Sequence, residues 1–132
     1  MKYLDTNLFV FAIAGDNFAR KILENVVDGK LEAATSCLTW DEFVWALRKD
    51  LDVIVAQEEG RRLLEIPNMV FIDVTVEITE KAQEYMVRYN LKPRDALHVA
   101  SMDQYGIQEI ISADGDFDKV KEIKRVWAKQ IS

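Results

Sequence analysis

Four carboxylates stand at points where one kind of segment gives way to another. Asp5 closes the short apolar run Tyr3-Leu4, Glu42 lies in an amphipathic stretch that follows residues 33–38, Asp95 comes two residues after Pro93, and Asp114 follows Glu109-Ile110-Ile111-Ser112. Acids gathered in one place repel one another, and the usual resolutions are a shared proton, a paired base or a bound cation. An all-oxygen set suits a hard divalent ion such as Mg2+ or Mn2+, which neutralises a phosphate and activates water. Convergence of these acids would therefore support metal-assisted phosphodiester hydrolysis. Each acid also has a purely local reading. Thr39-Trp40-Asp41-Glu42 has the form of a capping box, with Glu42 returning to the Thr39 amide. Asp95 suits the positive end of a helix opened by Pro93. Asp5 suits the start of a turn or helix, and Asp114-Gly115 is ordinary turn chemistry.

The elements that must position these acids are legible in the spacing of apolar residues. Tyr3-Leu4, 33–38, 69–72 and 109–112 read as short buried strands, and Arg125-Val126-Trp127 as a short fifth. Leu8 to Ile13 is too apolar for a surface segment. Helical spacing runs from Asn17 to Val27, through Phe43, Val44, Leu47 and Leu51, and from Val53 to Leu64 before Pro67. Ile78, Ala82, Tyr85 and Met86 mark a further helix, and Pro93 opens one that ends before Gly106. Strands alternating with helices, none with a wet face, predict a three-layer α/β sandwich: a parallel sheet of four to five strands covered on both sides. Ligands in such folds bind beyond the carboxyl ends of the strands, where three of the four acids fall.

Composition narrows the setting. A chain of 132 residues, 49% hydrophobic, is expected to form a single domain over 1–132. The one cysteine, Cys37, read here within the second strand, excludes an internal disulfide and a Cys-based zinc finger, and the one histidine, His98, cannot build a zinc site alone. A carboxylate at position 5 interrupts what would be a signal peptide's apolar core, and no apolar run approaches a bilayer span, so a soluble cytoplasmic protein is expected. Seventeen Lys and Arg against twenty-three Asp and Glu leave −6. A surface that engages nucleic acid throughout is usually basic. Either nucleic acid is not the partner, or some of the acids share a site that a cation neutralises.

Other motifs carry less. Asp114-x-Asp116-x-Asp118 opens like a calcium loop but has Lys119 where Gly is required and Arg125 where Glu is required. No Gly-rich phosphate loop or nucleophile elbow occurs. Arg48-Lys49, Arg61-Arg62, Lys92, Arg94 and the Lys119-to-Arg125 group are either phosphate contacts or solvated helix faces; Arg94 is favoured for contact because it adjoins Asp95. Trp40, Trp45, Phe43 and Phe9 either stack bases or fill core and interface. His98, three residues past Asp95, is expected to be packed and hydrogen-bonded rather than a ligand.

In order and over nearly the whole chain, the strand ending in Asp5-Thr6-Asn7, the Glu42 helix, Arg94-Asp95-Ala96-Leu97-His98-Val99-Ala100 and Ser112-Ala113-Asp114-Gly115-Asp116-Phe117 resemble the PIN domain (PilT N-terminus). Single-domain chains of this length resemble its VapC-type toxins. The resemblance implies an endoribonuclease whose Asp5, Glu42, Asp95 and Asp114 are catalytic and hold Mg2+ or Mn2+, leaving a 5′-phosphate and a 3′-hydroxyl. Asp116 would be an additional metal ligand, Thr6, Asn7 and Ser112 supporting residues, and Arg94 and Lys92 RNA contacts. It further implies an RNA substrate, a VapB-type antitoxin and a homodimer. A PIN nuclease of RNA maturation and a non-catalytic PIN-like binding module are the competing expectations; the intact acids weigh against the second.

Overall fold

The computed structural model describes residues 1–128. In chain order it forms β1 (Lys2–Leu4), α1 (Thr6–Ile13), α2 (Asn17–Val27), β2 (Ala33–Ser36), α3 (Cys37–Asp50), α4 (Val53–Leu64), β3 (Met69–Ile72), α5 (Val76–Tyr89), α6 (Pro93–Gln104), β4 (Glu109–Ile111), a 3-10 turn (Gly115–Lys119) and β5 (Lys124–Val126). The five strands lie in the order β3-β2-β1-β4-β5, and every pairing is parallel.

That order explains the layers. From β1 the chain steps outward to β2 and β3, then returns across the sheet to β4 and β5. Crossovers between parallel strands are right-handed, so reversing the direction of travel moves the connecting helices to the opposite face. The helices of the first two crossovers, α1 to α4, cover one face through Leu8, Phe9, Ile22, Val26, Phe43, Leu47 and Leu63. The return crossover, α5 and α6, covers the other through Ile78, Tyr85, Val99 and Met102. Successive strand residues alternate between the two cores: Leu4, Ala33 and Ile111 enter the first, and Tyr3, Ala34 and Ile110 the second. The reversal point lies between β1 and its neighbours β2 and β4, and a crevice opens there at the carboxyl ends of the strands.

Several details differ from the sequence reading: β4 stops at Ile111, before Ser112, and β5 runs from Lys124 to Val126 rather than from Arg125 to Trp127. Residues 37 and 38 extend the apolar run but not the strand: β2 ends at Ser36, opposite the last residue of β3, Ile72. The Ser36 hydroxyl accepts from the Leu38 amide at 3.0 Å and starts α3 there, so Cys37 is an exposed first-turn residue whose thiol lies 3.6 Å from Asp73. Leu51, expected on the inner stripe of that helix, is exposed, whereas Phe43 and Leu47 are buried.

The contact between α3 and α4 depends on a glycine. A Cβ on Gly60 would lie 2.7 Å from a Val44 methyl and 3.2 Å from Trp40 Nε1. Helix propensity favours alanine by about 1 kcal/mol, but overpacking costs about 1–3 kcal/mol. Gly60→Ala is expected to lose about 1 kcal/mol in a denaturant melt, with Val44→Ala in the same chain restoring most of it; strictly additive effects would show that the two do not collide.

Candidate active site

Asp5 leaves β1 and caps α1. Its Oδ1 accepts from the Thr6 amide at 2.8 Å, and its Oδ2 accepts from the Ser112 hydroxyl at 2.6 Å. Burial raises the Asp5 carboxyl above its ordinary value against the pull of His98, Ser112 and the Thr6 amide, and Glu42 adds to the rise. Ser112, fully buried past the end of β4, is a hub: besides donating to Asp5, its oxygen accepts from Asn7 Nδ2 at 3.3 Å and from the Asp114 amide at 3.0 Å. Asn7 Oδ1 in turn accepts from the Ala113 amide at 3.4 Å. Asp5, Asn7 and Ser112 thus tie the end of β1 to the end of β4, while Thr6 faces Glu42 on α3.

Glu42 does not close a capping box. With Ser36 as the cap, Thr39 lies inside α3, buried, its hydroxyl 2.7 Å from that of Thr35. Glu42 is displaced to the second turn, where it reaches across the cleft instead of back along its helix. Its Oε1 accepts from the Thr6 hydroxyl at 2.8 Å and from His98 Nε2 at 2.6 Å. Burial acts to raise the Glu42 carboxyl, but the His98 hydrogen bond and charge, with Thr6 and Arg94, together hold it below the ordinary carboxylate range.

Asp95 stands in the first turn of α6, which Pro93 opens and no side chain caps. Burial, then the charges of Asp114 and Asp5, push its carboxyl up to about 6, opposed by His98. Asp114 caps the 3-10 turn, with its Oδ1 accepting from the Asp116 amide at 2.9 Å, and that turn carries Asp116 inward. One oxygen each of Asp95, Asp114 and Asp116 lie within 4.8 Å of one another, and all three residues are half-buried.

The acids therefore form two groups. Asp5 and Glu42 are each engaged by two donors; Asp95, Asp114 and Asp116 face one another, offset among the described residues by the Asp116 amide on Asp114 and by His98 near Asp95. Among the described residues no Lys or Arg is ion-paired with any of the five. Three hard oxygen donors at this spacing fit a divalent cation. Asp5, Glu42, Asp95 and Asp114 line a single cleft of about 460 Å3, whose lining also includes the apolar side chains of Val10, Phe11, Ala14 and Trp45. Arg94 stands at its edge, and the cleft continues past Lys92 and Pro93. Arg61 pairs with Glu65 at the end of their helix and Arg62 with Glu59 within it, Arg125 pairs with Asp118, and none of the three lines the cleft. Of the aromatic candidates, Trp45 is 58% exposed in the cleft, while Phe9 and Phe43 are core.

His98 is packed and hydrogen-bonded, as its place on α6 suggested, but its partner Tyr3 was legible only as a strand residue. The Tyr3 hydroxyl lies 2.5 Å from His98 Nδ1, with both side chains buried. The one sequence signal for this pair is that Tyr3 alternates with Leu4, which turns it toward the face covered by α6.

Comparison with known proteins places the fold. The PIN domain family model matches residues 2–123. Ribonuclease VapC6 of Methanocaldococcus jannaschii is 22% identical, over 92% of this chain and 94% of its own. The fold is similar to that of Mycobacterium tuberculosis VapC20, a Sarcin-Ricin loop cleaving toxin, with TM-score 0.74 and 23% identity over 89% of this chain and 93% of that one. VapBC2 from Rickettsia felis, solved bound to a DNA fragment from its promoter, superposes with TM-score 0.74 at 18% identity over 96% and 98% of the two chains. With the family's model matched over nearly its whole length, the chain belongs to the PIN domain family.

Proposed function

We propose that the protein is a Mg2+- or Mn2+-dependent endoribonuclease, the toxin of a VapBC-type pair, with a VapB-type antitoxin as partner and a homodimer as its assembly. The observation that carries the reading is the meeting of four carboxylates from four separate segments of the fold around one cleft, with Asp116 beside two of them and none of the five ion-paired with a Lys or Arg among the described residues. A bound divalent cation would supply Lewis-acid stabilisation of the phosphate and a lowered pKa for water. Asp95, Asp114 and Asp116 are the residues to hold it, with Asp5 and Glu42 completing the set. Asn7, Thr6 and Ser112 keep those carboxylates in place, and Arg94 and Lys92 receive phosphates of the incoming strand. An overall charge of −6 is compatible with a polyanionic substrate because the acids responsible for the local repulsion are the ones the cation neutralises. No helix among the described residues is long and apolar enough to cross a membrane, in keeping with a cytoplasmic site of action.

The apolar residues that share the cleft with the acids suit a base adjoining the scissile phosphate. Base stacking on an aromatic ring contributes about 1–3 kcal/mol. Trp45→Ala is accordingly expected to raise KM for single-stranded RNA about tenfold, with kcat little changed; equal KM values would remove Trp45 from the substrate path. The function itself is tested by incubating a panel of short single-stranded and hairpin RNAs with the protein in Mg2+, Mn2+ or EDTA. Cleavage that leaves 5′-phosphates and requires metal is expected. Absence of cleavage, or cleavage that persists in EDTA, overturns the proposal.

A further inference from the structure

The chain has one histidine, and it is placed where its two nitrogens join a strand residue to a site carboxylate. His98 is 1% exposed, and every polar atom it has is engaged: Nδ1 lies 2.5 Å from the Tyr3 hydroxyl and Nε2 lies 2.6 Å from Glu42 Oε1. Asp5 Oδ1 is 3.9 Å from the same Nε2. A carboxylate can only accept, so Nε2 must carry the hydrogen in this contact. The Tyr3 hydroxyl can donate to the other nitrogen, which selects that tautomer in the neutral ring, and it fixes the ring plane. Tyr3 is itself 0% exposed, anchored in the central strand between α6 and the sheet.

Glu42 needs such a hold. It sits on α3, on the far side of the cleft from α6, and a glutamate with three free torsions would otherwise lose conformational entropy on meeting a ligand. His98 and Thr6 bond the same oxygen, Oε1, from two different elements, leaving Oε2 as the oxygen with no hydrogen-bond donor among the described residues. Building on the nuclease reading, we propose that His98 is a positioning residue which, oriented by Tyr3, locks Glu42 so that a single oxygen faces the cleft. The tyrosine–imidazole–carboxylate chain does for Glu42 what the Ser112 hub does for Asp5. Partners of this kind that orient a ligating side chain are worth about 10–100-fold in metal affinity or activity.

Three variants separate positioning from packing. His98→Gln can still present an N–H toward Glu42; His98→Leu fills the space without a donor; Tyr3→Phe removes one oxygen from the far end. Affinity for Mn2+ by calorimetry is expected to fall about tenfold in His98→Leu and to return to within threefold of the parent in His98→Gln. Tyr3→Phe is expected to fall between them. Cleavage should follow in kcat, with KM for RNA unchanged. Equal impairment of the Leu and Gln variants, or a folded Leu variant with the parent's affinity, overturns the proposal; if the Leu variant does not fold, unchanged affinity in Tyr3→Phe does so. A readout independent of metal comes from nitrogen-15 correlation spectra of the metal-free protein, which contain one imidazole. A slowly exchanging proton on Nε2 is expected, and an unprotonated Nε2 refutes the chain of hydrogen bonds. Should the parent protein neither bind Mn2+ nor cut RNA, the nuclease reading fails, and that nitrogen signal still decides whether Glu42 is held in this way.

Discussion

Asp95→Asn is expected to raise the melting temperature of the metal-free protein at pH 7 by about 3–6 °C while abolishing Mn2+ binding and RNA cleavage. The wild-type carboxyl is pushed up to about 6 by burial and by the charges of Asp114 and Asp5. An acid whose folded pKa lies above its unfolded one favours the proton in the folded state, so folding stability falls as pH rises from about 4 through about 6 and the full penalty persists above that. For a half-buried group screened by solvent the penalty amounts to about 1–2 kcal/mol. Asparagine cannot ionise and escapes it. The difference between variant and parent should be near zero at pH 4 and grow through pH 6, as read by scanning calorimetry in EDTA. A difference that is flat over this range would mean that the carboxylate charge is not its source. Added Mn2+ should then reverse the ranking, because a ligand that binds only the native state stabilises the parent and not the variant.

Asp5→Ala should have the opposite effect on the fold and the same effect on the chemistry. Asp5 is as buried as a core residue, yet both of its oxygens are in use: one caps α1 through the Thr6 amide and the other takes the Ser112 hydroxyl. Alanine removes the cap and leaves a fully buried hydroxyl without its acceptor. Loss of a cap costs about 0.5–2 kcal/mol and a stranded buried donor about 1–3 kcal/mol. Relief of a buried charge returns part of this. A net loss of about 2 kcal/mol is expected from urea melts, together with loss of cleavage. Two carboxylates proposed to serve one reaction would thus move stability in opposite directions, because Asp5 is held by two donors and Asp95 is pushed up by burial and by neighbouring acids. If Asp5→Ala proved as stable as the parent, the coupling of β1 to β4 through Ser112 would not be a structural necessity.

What could be read from the sequence follows from which interactions are local. Asp5, Asp95 and Asp114 were legible as site candidates because strand ends and helix starts are marked by short-range signals: an apolar run that stops, a proline at the first helical position, an Asp-Gly pair. The alternation of strands and helices disclosed the layers for the same reason. The end of β2 was not legible, since Cys37-Leu38 continues the apolar pattern, while pairing stops opposite the last residue of β3 and Ser36 caps α3. Placing the strand end two residues too late also made Thr39-x-x-Glu42 look like a capping box, when the true cap is Ser36 and Glu42 is directed across the cleft. The Tyr3–His98 contact joins residues 95 apart and depends on α6 packing over β1, which no local pattern encodes. The division of the acids, with Asp116 joining Asp95 and Asp114 while Asp5 and Glu42 are satisfied by donors, is likewise a property of the folded cleft.

A calorimetric titration of Mn2+ into the metal-free parent protein, repeated with Asp95→Asn and Asp114→Asn, bears most directly on whether this cleft is built for a cation. Saturable binding by the parent, lost in both variants while they remain folded, is the expected result. Heats no different from dilution at millimolar Mn2+, or binding that survives both substitutions, would mean that the clustered carboxylates serve some other purpose.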